Sequence, residues 1–197
     1  MTVLALSTSQ APSSINYRGL QLLDSHCKFT KVDCLSNYDI PVVNVNGIDS
    51  YVPDSVRSII SSMFQYDNFV FAIPEFTGMM SSSTKNLLDW MVVISNMNLE
   101  HGKGYPFSDK HVILLTFTPS GDEGGSRHMP QTQEVFKKLG ANIIYSHVFT
   151  YGWKHVVPGN EEYFHNAADK INNYLLYKAT NKDYFKNEYI KWNEKWK

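Results

Sequence analysis

The chain has little of what several functional classes require. Only two cysteines occur in its 197 residues, Cys27 and Cys34. They flank a predicted short strand, match no zinc spacing, and are expected as reduced, partly buried thiols rather than a disulfide. An excess of either charge is also missing. Eighteen Lys and Arg stand against 19 Asp and Glu, a net charge of −1, so no nucleic-acid surface is expected. No apolar run approaches the ~20 residues of a membrane span, and a membrane is not an expected partner. Met1–Ala11 has no basic n-region and its apolar run is only Val3–Leu6, so no secretory leader is expected either. The histidines at 26, 101, 111, 128, 147, 155 and 165 show no metal spacing. No serine sits in a Gly-x-Ser-x-Gly elbow. What remains is a cytoplasmic protein of one domain, residues 1–197, long enough to bury one sizeable core.

What is present is alternation. Apolar, β-rich runs at Thr2–Ser7, Phe29–Cys34, Phe69–Ile73, Lys110–Thr118 and Asn142–Phe149 read as five strands. Helical patterns fall between them at Ser14–His26, Val52–Tyr66, from about Ser83, and at Arg127–Leu139. A long helical region runs from about Glu161 to the end. Leu35–Tyr51, with Pro41 and Gly47, has no clear period and reads as a polar loop. The alternation predicts an α/β fold, a three-layer sandwich whose parallel five-stranded sheet has helices on both faces. The flavodoxin-like order 2-1-3-4-5 is expected.

Three strand-to-helix loops carry ligand-type sequences, and all follow strands that this order makes neighbours. The first, Leu6–Asn16, has no glycine and is neither a dinucleotide fingerprint nor a Walker loop. Its serines, a threonine and the free amides of a starting helix suit a phosphate dianion; they suit equally a loop that only caps the helix. The second, Pro74-Glu75-Phe76-Thr77-Gly78, leads through a serine cluster into Lys85-Asn86-Leu87-Leu88-Asp89-Trp90. Pro74 fixes the exit from its strand and Gly78 allows close backbone approach, while Glu75 taken alone reads equally as a solvated loop carboxylate. The third, Thr118–Arg127, holds Gly121, Gly124 and Gly125, a pattern of positive-φ turns or close ligand approach.

The second loop with its helix resembles the Pro-Glu-Tyr-Asn-Gly … Leu-Lys-Asn-x-x-Asp-Trp signature of the NAD(P)H-dependent FMN reductase family, and the resemblance covers roughly residues 2–150. It implies a flavodoxin-like fold, FMN as cofactor, NADPH or NADH as co-substrate, and hydride transfer through FMN N5 to a flavin, quinone, azo or similar small-molecule acceptor. The absence of a protein nucleophile suits chemistry carried by a cofactor. By resemblance, Ser9, Ser14, Ile15 and Asn16 hold the phosphate end. Pro74, Glu75, Phe76, Thr77 and Gly78 meet the ring edge, and Ser120, Gly121 and Gly124 flank the ring.

Departures accompany the match. Thr8 stands for the family's glycine, and Ala11 for an arginine that resembles a phosphate clamp. Losing that charge-assisted contact is worth ~1.5–3 kcal/mol; Arg18, one turn further on, is a partial substitute. Phe76 replaces a tyrosine, and Met79-Met80-Ser81-Ser82 replaces Ser-Ile-Pro-Gly.

The family forms dimers through the helix after the second loop. Leu87–Leu99 is apolar at nine of thirteen positions, more than a half-exposed helix needs, so a homodimer or homotetramer is expected. The tail, residues 176–197, lies outside the resemblance. Its Phe185, Tyr189, Trp192 and Trp196 form one stripe if helical, suited to its own domain, a neighbouring subunit or a membrane surface. The rival functional readings are a flavodoxin-type electron carrier and a degenerate homologue that no longer binds FMN. Carriers are strongly acidic, with a glycine in the phosphate loop, and this chain has neither feature.

Overall fold

The computed structural model describes residues 1–44, 52–96 and 106–180, with the side chains of 177–180 excepted. The central sheet holds β1 (Val3–Ser7), β2 (Lys31–Cys34), β3 (Asn68–Ala72), β6 (His111–Phe117) and β7 (Asn142–Phe149), all parallel, in the order β2-β1-β3-β6-β7. Between β3 and β6 lies a two-stranded antiparallel hairpin, β4 (Glu75–Phe76) and β5 (Met79–Met80). With the hairpin set aside, the order is the expected 2-1-3-4-5.

The helices are α1 (Ile15–Cys27), α2 (Asp54–Phe64), α3 (Ser82–Asn96), α4 (His128–Lys138), α5 (Gly152–His155) and α6 (His165–Thr180). Three differences from the sequence reading stand out. The second loop is a hairpin, α5 was not anticipated, and a 3₁₀ turn at Glu161–Phe164 precedes α6. The aromatic stripe of the tail and Gly47 lie outside the described residues.

Period-2 alternation in buried strands divides the core in two. Leu4, Leu6, Phe69, Phe71, Val112 and Leu114 point to the face covered by α2, α3 and α4. Val3, Ala5, Val70, Ala72, Ile113 and Leu115 point to the face covered by α1 and α6. Each large side chain buried this way contributes ~1.5–3 kcal/mol. On the second face, a Cβ at Gly19 of α1 would sit 2.3 Å from the Phe117 ring, so the missing side chain lets helix and sheet close together.

The apolar excess of α3 has an intramolecular explanation. Leu87, Leu88, Trp90, Met91, Val93 and Ile94 are all buried within the chain. The segment after β2 crosses the helix, packing Tyr38, Ile40 and Val43 against that core. Asn86 fixes it by donating to the Pro41 carbonyl (3.0 Å) and accepting from the Val43 amide (2.9 Å), and Trp90 Nε1 donates to the same Pro41 carbonyl at 2.7 Å. Lys85 and Asp89 pair with each other on the exposed side.

At the β2 edge, Asp33 is buried. Burial pushes its carboxyl up, but Lys31, Tyr38, Asn37 and the Cys34 amide together outweigh burial and hold it below the ordinary aspartate value. Both cysteines are free thiols.

Candidate active site

The C-terminal ends of β1, β3 and β6 bring the three loops together at the switch point between β1 and β3. In the first loop, Ser14 is the N-cap of α1, its hydroxyl oxygen accepting from the Tyr17 amide at 3.2 Å. The amides of Ile15 and Asn16 open the helix, where no intrahelical carbonyl can meet them. Ser9 is buried and its hydroxyl accepts from the Ala11 amide at 3.1 Å. Ala11 and Arg18 are both exposed.

The Asn16 side chain has a partner of its own. It donates to the Phe117 carbonyl (3.2 Å) and accepts from the Phe117 amide (3.1 Å). The reason lies in β3. Ile73 still donates to Leu115 across the ladder, but the next residue, Pro74, has no N–H. Beyond it Phe117 has no partner on the β3 side, and the Asn16 side chain supplies both groups there. The Asn16 backbone amide remains at the opening of α1 for a ligand.

The second loop turns tightly. Thr77 and Gly78 have φ of +51° and +74°, the positive pair that a two-residue type I′ hairpin turn requires. Threonine is strained there, and the family signature has asparagine. Pro74 is buried and its carbonyl accepts from the Ser81 amide at 3.0 Å. Phe76 and Met79 are 66% and 47% exposed, so the hairpin presents an apolar surface to solvent. Glu75 is not a solvated loop carboxylate: its Oε2 accepts from the Gly125 amide at 3.0 Å, tying the second loop to the third. On the hairpin's other side, the Arg127 Cδ lies 3.8 Å from where a Gly78 Cβ would be.

Beneath this junction His128 is fully buried. The Thr116 hydroxyl donates to the Ile73 carbonyl at 3.0 Å, so it accepts from His128 Nε2–H at 2.8 Å. Nδ1 then accepts from the Thr132 hydroxyl at 3.0 Å. This arrangement holds for the neutral ring, the form that burial favours. Burial holds its pKa below the ordinary histidine value, against an opposing pull from Glu75.

The third loop folds on itself. The Gly124 amide donates to the Gly121 carbonyl at 2.8 Å, and a Gly124 Cβ would meet Thr118 Cγ2 at 2.6 Å. Ser120 is exposed and its carbonyl accepts from the Tyr151 amide at 2.8 Å. Gly152 donates to the Thr118 carbonyl at 2.8 Å, and a Cβ there would lie 3.1 Å from Ile15 Cδ1. The segment after β7 therefore closes the wall between the third loop and the start of α1. Sequence reading missed it because Tyr151 and Gly152 belong to no recognisable motif.

It also missed the role of Thr8 and the serine cluster. Thr8 and Thr84 are fully buried, their hydroxyls 2.7 Å apart, and the Ser83 hydroxyl donates to the Thr8 carbonyl at 2.6 Å. The first loop is thereby pinned to the start of α3. The only signal was the run Ser81-Ser82-Ser83-Thr84, legible as a helix start.

An opening helix with spare amides, hydroxyl groups and no acidic side chain in Ser9–Asn16 fits a phosphate. The hairpin and glycine-rich loop beside it offer backbone groups and apolar surface rather than charge, which fits a flat heteroaromatic ring system.

Comparison with known proteins agrees. A family model described as NADPH-dependent FMN reductase matches residues 1–155. Over 140 residues, 71% of this chain and 81% of the other, the chain is 21% identical to an uncharacterized Mycoplasma pneumoniae protein, the MG342 homolog. It is 28% identical over 114 residues to a probable NADPH:quinone oxidoreductase 2 of Oryza sativa subsp. japonica, covering 57% of this chain and 51% of that one. Among solved structures, it superposes on an NAD(P)H:quinone oxidoreductase from Methanothermobacter marburgensis with a TM-score of 0.60, 14% identity, and coverage of 89% and 96%. That likeness establishes the shared fold.

Proposed function

We propose that this chain, which belongs to the NADPH-dependent FMN reductase family, is an FMN-dependent NAD(P)H oxidoreductase acting on a flavin, quinone, azo or similar small acceptor. The observation that carries the reading is the meeting of three loops at one switch point, with Glu75 bonded to Gly125 and Ser83 to Thr8. FMN, when bound in this crevice, would supply the redox chemistry, hydride transfer at N5 between the nicotinamide and the acceptor.

The chain's own residues bind and orient. Ser9, Ser14 and the amides of Ile15 and Asn16 hold the phosphate. The backbone of Pro74–Gly78 meets the polar ring edge, while Ser120, Gly121 and Gly124 close the other side. The exposed hydrophobic side chains of Phe76 and Met79 support a homodimer or homotetramer, in which a second subunit would cover the hairpin and exclude water. The chain is read as one domain with residues 176–197 as an added tail, acting in the cytoplasm. Among the described residues no helix is long and apolar enough to cross a membrane.

The test is titration of flavin-free protein with FMN, followed by anaerobic addition of NADPH or NADH. Quenched flavin fluorescence at micromolar or tighter affinity, then bleaching by the nicotinamide, is the expected result. Binding without bleaching would favour the electron carrier. No binding up to high micromolar FMN would leave the degenerate homologue.

A further inference from the structure

Four hydroxyls beside the first loop form a closed circuit whose proton order can be assigned. The Ser83 hydroxyl gives its proton to the Thr8 carbonyl at 2.6 Å. Its 2.9 Å contact with Ser81 Oγ therefore needs Ser81 as donor. Ser81, its one proton spent, must accept at 2.8 Å from Thr84. Thr84 in turn accepts at 2.7 Å from Thr8. The chain of donors runs Thr8, Thr84, Ser81, Ser83 and returns to the carbonyl of Thr8. Each of the four hydroxyls donates once, and those of Thr84, Ser81 and Ser83 also accept, Ser81 Oγ taking the Thr84 amide at 3.3 Å as well. A longer contact, 3.4 Å from the Thr8 hydroxyl to the Ala72 carbonyl, is secondary. Thr8, Thr84 and Ser81 are at most 3% exposed, where a satisfied network is rigid and a broken one is costly.

The circuit fixes the Thr8–Ser9 peptide. Its carbonyl is turned into α3, and in a trans peptide the amide of Ser9 then points the other way. Among the described residues that amide has only a 3.4 Å contact with the Ser7 hydroxyl, which leaves it to a stronger acceptor. A carbonyl oxygen left free to turn toward the loop would repel an anion.

We propose that Thr84, Ser81 and Ser83 are positioning residues for the phosphate end of the flavin site, making the first loop an anion acceptor by orienting its backbone in place of a cationic clamp at Ala11. This rests on the FMN reading above. It gives a physical role to two departures from the family pattern, threonine at position 8 and serine at position 81, which form halves of one device.

The test is Thr84→Val, which exchanges a hydroxyl for a methyl of similar shape, with FMN and riboflavin titrated against the same flavin-free protein. FMN affinity should fall about fivefold to tenfold, as expected for one oriented hydrogen-bonding group lost. Riboflavin, which lacks the phosphate, should change less than about twofold, and Thr84→Ser should restore FMN binding. Equal losses for both flavins, or unchanged FMN affinity, would overturn the proposal. Should Thr84→Val fail to fold, Ser83→Ala removes the donor to the Thr8 carbonyl, and with it the acceptor of the Ser81 hydroxyl, and must show the same selective loss. A wild-type protein that binds neither flavin would instead remove the FMN reading itself, and the inference with it.

Discussion

Asn16 is the residue at which a binding role and a structural role can be separated by measurement. Its side chain makes two buried hydrogen bonds to Phe117, at 3.1 and 3.2 Å, where the end of β3 leaves that residue without a partner on one side. Asn16→Ala removes both partners and leaves a buried amide and a buried carbonyl unsatisfied. At ~1–3 kcal/mol per stranded group, with partial relief from water entering the space, the loss should be about 2–4 kcal/mol. For a chain of this length that is a drop of roughly 5–15 °C in Tm. Urea denaturation of the flavin-free protein measures it, with a lowered midpoint and an unchanged slope expected. Asn16→Asp should cost more, because a buried carboxylate oxygen would face the Phe117 carbonyl. A loss below about 0.5 kcal/mol together with abolished FMN binding would refute the reasoning and show that the side chain serves the ligand.

Four further outcomes follow from the same geometry. Ala11→Arg places a cation on an exposed position of the first loop; it should tighten FMN binding with ~1.5–3 kcal/mol as the ceiling and leave riboflavin binding unchanged, whereas equal gains would mean a packing effect. Thr77→Asn should relieve the strain of a β-branched residue at φ +51° and raise stability by ~0.5–1.5 kcal/mol in thermal denaturation; a loss would refute the type I′ assignment. His128 has its folded pKa held below the ordinary value by burial, so its contribution to stability is complete above the unfolded value of about 6.5 and is lost as pH falls below that toward the folded value. Urea midpoints between neutral and acidic pH should therefore fall less steeply in His128→Gln than in the wild type, and parallel curves would contradict this. The Cys27 thiol, pushed up to about 12 by burial and then by Asp24 and Asp169, should stay unalkylated by iodoacetamide near pH 8; rapid labelling there would show the helix end open.

Much of this fold is legible because strand and helix periods are local. Val3–Leu6 and Phe69–Ile73 are apolar on both faces, a pattern that suits a strand covered twice, and their alternation with helical patterns made the order 2-1-3-4-5 the expected one. The family signature was equally local. Its Asn86 and Trp90 could be named, although not what they touch, since Pro41 and Val43 lie more than forty residues away. The same distance hid the covering of α3. A helix apolar on two sides states that both must be buried, but not whether the chain or a second subunit buries them.

The polar roles are where the sequence alone stops. A serine, threonine or asparagine has the same local preferences whether it meets a ligand, a helix end or another hydroxyl. Asn16 read as a ligand contact, and nothing local showed that its side chain meets Phe117, where β3 ends at Pro74. Thr8 read as a loss of glycine until Thr84 lay 2.7 Å away. Glu75 could have been solvated until Gly125 came within 3.0 Å. Period and hydrophobicity determined which segments are strands and helices and which of them are buried. Only the tertiary structure decided where each hydrogen-bonding group finds its partner, because those partners come from strands and loops that chain order keeps far apart.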